Sequence, residues 1–184
     1  LDSSKRRFFI ALLPPQEIQD YANEVKQIFV DRFNSRAALK SPPHVTLQPP
    51  FEWANAELLQ LSDSLGQFAR SRSPVPMTLA GFGAFVPRVV YINVLRTADL
   101  LEVQAALLAH TEATLGIVDA VAKTRPFAPH MTVGFRDLTK ANFRTAWAEF
   151  QHQSYDAAFT IDRLTLLIHT GQRWIVDQEF AFEG

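Results

Sequence analysis

Cysteine is absent from the chain, so neither a disulfide framework nor a thiolate metal site is open to it. That absence suits a reducing compartment, and a cytoplasmic location is expected. No stretch approaches the ~20 consecutive apolar residues of a membrane span. The apolar run Phe8–Leu13 behind Lys5, Arg6 and Arg7 is shorter than the ~7–15-residue core of a secretory signal, reads instead as a strand, and leaves no membrane association to expect. An excess of either charge is missing too: 18 Lys and Arg stand against 19 Asp and Glu, a formal net charge of −1. Nothing global therefore draws the chain to nucleic acid, and a polyanion would have to be held by a local group of basic side chains. What the chain does have is 184 residues, 47% of them apolar, which is enough for one packed domain over 1–184. A monomer is expected.

The order of elements repeats. "FFIAL" (Phe8–Leu12) reads as a strand stopped by Pro14 and Pro15, and Ile18, Tyr21, Ala22, Val25, Ile28 and Phe29 then recur at helical spacing. A second strand begins near His44 and is expected to end at Pro49 and Pro50. Leu58, Leu61, Leu65 and Phe68 mark a helix, and "VPMTLAGFGAFV" a strand. The second half opens with the strand "RVVYINVL" and a helix with Asp99 in its first turn. A strand around His130 follows, then a helix behind Thr139, the strand "AAFTIDRLTLLIH", and the strand "WIVDQEFAF" across a "TGQR" turn. Two units of strand, helix, strand, helix, strand, over about 5–85 and 88–184, point to an internal duplication whose halves form two lobes about a pseudo-twofold axis.

Each unit carries the same short pattern at the same place: "PHVTL" with His44 and Thr46, and "PHMTV" with His130 and Thr132. On a strand, residues two apart share a face, so each motif projects an imidazole and a hydroxyl to one side and turns Val45 and Leu47, or Met131 and Val133, to the core. An imidazole titrates near pH ~6.5, so one can accept a proton while a second donates one, and Thr can donate a hydrogen bond to a phosphoryl oxygen. Two such pairs on facing walls suit in-line displacement at phosphorus, with the attacking oxygen deprotonated on one side and the leaving oxygen protonated on the other. His110 and His169, each followed directly by Thr, lack this geometry and read as structural or surface residues. His152 reads as a helix end.

The paired His-apolar-Thr-apolar motifs, together with "RRFFIALLPP" and "GFGAFVPRVVYINV", resemble the signature of the 2H phosphoesterase superfamily, the LigT-like group of RNA 2′,3′-cyclic phosphodiesterases also called 2′-5′ RNA ligases. The resemblance covers nearly the whole chain. It implies an α+β fold, bilobal with pseudo-twofold duplication, in which two antiparallel sheets flanked by helices enclose a central cleft. It also implies His44 and His130 as the catalytic pair, Thr46 and Thr132 as phosphate ligands, and neither metal nor cofactor. The implied partners are RNA 2′,3′-cyclic phosphate ends or cyclic nucleotides, attacked by water or by an RNA 5′-hydroxyl.

Members of the RNA-ligase type often place Arg five residues after the second His, where this chain has Phe135 and then Arg136. Strand parity would put Arg136 on the His130 face within reach of a phosphate. Lys40, Lys123 and Arg125 precede the motifs and are further basic candidates. Phe51, Trp53, Tyr91 and Phe127 are candidates for stacking a base, Tyr91 foremost. With Arg136 beside it, His130 would be the base and His44 the acid. Two other readings stand beside the enzyme: a non-catalytic module binding a nucleotide or RNA end in the same cleft, and a His-based metal site, to which each motif gives only one ligand.

Overall fold

The computed structural model describes residues 4–184. Eight strands and four α-helices follow one another along these residues: β1 (Lys5–Leu12), α1 (Gln16–Phe33), β2 (Val45–Ala54), α2 (Leu58–Arg70), β3 (Val75–Phe85), β4 (Val89–Val94), α3 (Ala98–Leu115), β5 (His130–Gly134), α4 (Lys140–Phe150), β6 (Asp156–Ile161), β7 (Arg163–His169) and β8 (Trp174–Ala181). Helix ends follow local chemistry. The Thr97 and Thr139 hydroxyls accept from the backbone N–H of Leu100 and Asn142 and cap α3 and α4, while Asn34 and Gly116 close α1 and α3 in the left-handed conformation. Among the described residues no helix is long and apolar enough to cross a membrane.

The strands form two four-stranded sheets, ordered β2-β1-β7-β8 and β5-β4-β3-β6, with every pairing antiparallel. The duplication is visible in this order: β2 and β5 are the edge strands that begin at the His motifs, and β1 and β4 are their inner neighbours. Neither sheet coincides with one half of the sequence. β3 leaves the first half to pair with β4, and β7 leaves the second to pair with β1, so each lobe is built from both repeats. The helices exchange likewise, α1 lying against β5 and α3 against β2. The alternation that reads as one strand from Ala157 to His169 is two strands, because Asp162 carries the chain from one sheet to the other.

The expectation that Pro49 and Pro50 end the second strand is also corrected: β2 runs through both to Ala54. As an edge strand it has an outer side that owes no hydrogen bonds, and the ladder with β1 is bulged there. Phe8 pairs with Phe51 and Ile10 with Gln48, so the two prolines oppose Phe9 alone and no amide donor is missed.

One face of each sheet lies against helices. Phe8, Ile10, Leu12, Val45, Leu47, Leu164 and Leu166 fill that core from one lobe, and Val90, Ile92, Met131 and Val133 from the other. The opposite face of the first sheet holds a smaller cluster, Phe9, Ala11 and Leu167 with Leu13 and Trp174 packed against it.

Candidate active site

Each His motif begins its edge strand, and the parity rule holds in both: Val45, Leu47, Met131 and Val133 are buried, while His44, Thr46, His130 and Thr132 are half-buried. The repeat extends to individual atoms. His44 Nδ1 lies 2.7 Å from the carbonyl oxygen of Pro42, and His130 Nδ1 lies 2.7 Å from that of Ala128, in each case two residues upstream. A carbonyl only accepts, so both Nδ1 atoms carry hydrogen and both neutral rings keep the Nε2 lone pair free. Each ring also leans on one phenylalanine with centroids 4.8 Å apart, Phe9 for His44 and Phe85 for His130.

The two walls differ beyond this. Cross-strand pairing puts Thr46 opposite Ala11, which lies opposite Thr165, whereas Thr132 lies opposite Tyr91, which lies opposite Gly83. The Tyr91 ring sits directly on Gly83, where any Cβ would collide with it, and its centroid is 5.3 Å from that of His130. The sequence offered Tyr91 only as a ring for stacking a base; its place beside the second His comes from the pairing of β4 with β5. Thr46 and His130 line a common cavity of about 680 Å³ that continues between α3 and the segment 119–128, past Leu108, Ala109, Val121, Arg125 and Phe127.

The basic candidates separate. Arg125 lines the cavity. Lys123 lines it as well, but its Nζ is held at 2.7 Å by Glu112. Lys40 is exposed on a short 3₁₀ turn, Ala37–Lys40. Arg136 does not continue the strand. β5 ends at Gly134, against which the Phe29 ring is packed, and the Phe135 N–H donates to Ser35 Oγ at 3.2 Å. Asp137 then accepts from Ser35 Oγ at 2.7 Å and from the backbone N–H of Arg36 and Ala37 at 2.6 and 2.9 Å. Burial pushes the Asp137 carboxyl up, but these bonds together hold it below its ordinary value. The staple turns the chain away, leaving Arg136 exposed with its guanidinium 5.3 Å from the Phe135 ring centre. Phe51 and Trp53 are not brought to the histidines either: both pack on the helix-facing core, Phe51 opposite Phe8.

Burial lowers the His44 imidazole to about 4, opposed by the Pro42 hydrogen bond and reinforced by the charges of Lys26 and His130. Burial also lowers His130, opposed by its bond to Ala128. Phe9, Phe85 and Lys26 escaped the sequence reading. The two phenylalanines sit in ordinary apolar runs and announce nothing. Lys26 did leave a signal, since it stands four residues after Ala22 and three before Phe29 on the apolar stripe of α1. His110 lies between helices, its Nε2 3.0 Å from the carbonyl of Ser64, and His169 packs on Trp174 at 4.8 Å.

Known proteins resemble this chain in sequence or in fold. A protein of Geobacillus kaustophilus, whose name assigns it provisionally to the phosphoesterases, is 31% identical over 182 residues, covering 97% of each chain. One of Bacillus pumilus with a name of the same kind is 27% identical over 180 residues, covering 95% of this chain and 96% of its own. Among solved structures, E. coli LigT complexed with 3′-AMP superposes with a TM-score of 0.72 at 20% identity, over 98% of this chain and 99% of its own. LigT complexed with NADP+ gives 0.68 at 21% identity, over 99% and 100%. The model of the 2′-5′ RNA ligase superfamily matches residues 14–173, and with two His motifs in matching places on two exchanged sheets, the chain belongs to that superfamily.

Proposed function

We propose that the protein is a phosphoesterase that opens 2′,3′-cyclic phosphates, on nucleotides or at RNA ends, by acid–base catalysis with no metal ion and no nucleotide cofactor. The observation that carries this reading is the matched pair of Nδ1 bonds, which presets both imidazoles with Nε2 available for proton transfer beside a threonine hydroxyl. One Nε2 takes a proton from the attacking water, or from an RNA 5′-hydroxyl in ligation. The other gives its proton to the ribose oxygen that leaves phosphorus. Thr46 and Thr132 donate to the non-bridging oxygens, Arg125 faces the anion from the cavity wall, and Tyr91 offers a ring to the base. From its exposed turn, Arg136 is assigned only a contact with the strand beyond the scissile phosphate.

The roles of the two histidines are the reverse of the sequence expectation. The cation expected beside His130 is turned away, and the one that acts on an imidazole, Lys26, acts on His44. His44, the more reluctant to protonate, is the base, and His130 is the acid. The nucleotides in E. coli LigT, a protein of the same fold, support a nucleotide as occupant of the cleft. Incubation with 2′,3′-cyclic AMP, with and without a chelator, tests the reading. Release of 2′- or 3′-AMP unaffected by chelation is expected. Binding without turnover would leave only the binding module, and loss on chelation would restore a metal.

A further inference from the structure

Lys26 lies among Ala22, Val25, Phe29 and Val30 on the inner face of α1 and is 2% exposed. Taking an ammonium out of water costs several kcal/mol, and buried charges are ordinarily paired. No carboxylate of the described residues pairs with Lys26. Among the described residues its one hydrogen-bond acceptor is the carbonyl of Ser41, 2.9 Å from Nζ, and two of its three N–H donors have no protein partner. Ser41 opens the segment Ser41-Pro42-Pro43-His44, in which the Pro42 carbonyl fixes the His44 ring.

The other charged groups around Lys26 are accounted for. Asp20, Glu24 and Asp31 of α1 are exposed, as is Lys40 of the 3₁₀ turn. In α4, Glu149 is bound to Arg32, and Arg144 is exposed. After β5, Asp137 is engaged by Ser35, Arg36 and Ala37, and Arg136 faces solvent. The groups whose charges meet at His44 are Lys26 and His130, all of one sign when protonated. A fold that keeps an uncompensated cation next to a site for an anion has left the counter-charge to the ligand.

We propose that Lys26 is a positioning residue of the phosphate site, anchoring the backbone that aims His44 and supplying from α1 a positive charge that an anionic phosphoryl group in the cleft neutralises. This rests on the phosphate-cleft reading above. Burial also lowers the Lys26 ammonium to about 8. In the free protein the charge is therefore lost as pH rises through that value, and anion affinity falls with it.

Sulfate is the probe, because it remains a dianion throughout and because its binding does not depend on turnover of any cyclic phosphate. Binding is measured by calorimetry from about pH 7 to pH 9.5, above the range where either imidazole titrates. The unaltered protein is expected to lose affinity through about pH 8. Lys26→Met should bind sulfate on the order of ten-fold more weakly at pH 7 and show no such fall, while retaining or gaining thermal stability. Lys26→Arg should keep the affinity and carry it unchanged to pH 9.5, and this arm decides the matter should the Met variant not fold. Unchanged sulfate affinity and pH dependence in Lys26→Met, or a fall near pH 8 that persists in Lys26→Arg, would overturn the proposal. Sulfate binding that follows Lys26 in a protein inert to 2′,3′-cyclic AMP would uphold the proposal while refuting the reaction.

Discussion

The two half-sites start from one plan and end as different environments. Both hold His Nδ1 on the carbonyl two residues back, and both rest the ring on a phenylalanine. At the next position inward, however, the first wall has Ala11 and Thr165 where the second has Tyr91 and Gly83. The first also has Lys26 behind it. Symmetry of backbone thus supplies two equivalent imidazoles, and in the proposed reaction asymmetry of neighbours is what would set which one gives up its proton.

Removing either imidazole tests the largest part of this comparison. His44→Ala and His130→Ala should each lower turnover of 2′,3′-cyclic AMP by at least ~10²-fold. A substrate whose leaving oxygen needs no protonation separates the walls, because it should rescue His130→Ala substantially and His44→Ala hardly at all. Rescue in the opposite sense would exchange the roles.

The pH profile sharpens the same contrast. kcat/KM should rise as pH climbs through about 4, where His44 becomes the free base, and fall as His130 loses its proton below the ordinary imidazole value. A bound anion favours both imidazolium forms, so the alkaline limb of kcat should lie above that of kcat/KM. A single limb in kcat/KM would break the two-imidazole division of labour. Stability has its own dependence. The unfolded chain protonates His44 near pH 6.5 and the folded one near 4, so stability is complete above about pH 6.5 and should decline by up to roughly 3 kcal/mol as pH falls through about 4. Urea unfolding at pH 7 and pH 4 measures it, and His44→Gln should flatten the decline.

Two smaller substitutions act on the inward positions. Tyr91→Ala makes the second wall resemble the first. If Tyr91 stacks a base, KM for a cyclic nucleotide should rise about ten-fold with kcat changed less, and an unaltered KM would remove Tyr91 from the binding surface. Thr165 is fully buried and its hydroxyl has no hydrogen-bond partner among the described residues. Thr165→Val should therefore leave stability unchanged or raise it by about 1 kcal/mol in thermal unfolding.

The sequence carried the symmetric part of this picture more readily than the asymmetric part. That His44 shares a face with Thr46, and His130 with Thr132, could be read because a strand period of two and a repeated motif are local features. The position of Tyr91 beside Thr132 could not, because it depends on which strand pairs with β5. The strand continuation expected at Arg136 is missing because the end of β5 is set by contacts from distant segments, Phe29 against Gly134 and Ser35 with the Phe135 amide. The exchange of strands between repeats was illegible for a related reason: hydrophobic alternation states which face of a strand is buried but not which sheet buries it. Nor do Pro49 and Pro50 announce an edge position that tolerates them.

That exchange constrains how the chain can be made. β1, which is made before the other described strands, can pair with β2 early, but its other edge belongs to β7 (Arg163–His169). The first sheet therefore waits with an open edge while most of the polypeptide is produced, and β3 similarly waits for β4 and β6. Folding so dominated by distant pairings is slow, and the waiting edges invite association between nascent chains. A truncation within the last quarter of the chain removes far more than a terminus, because it takes from the first strand the neighbour that completes it.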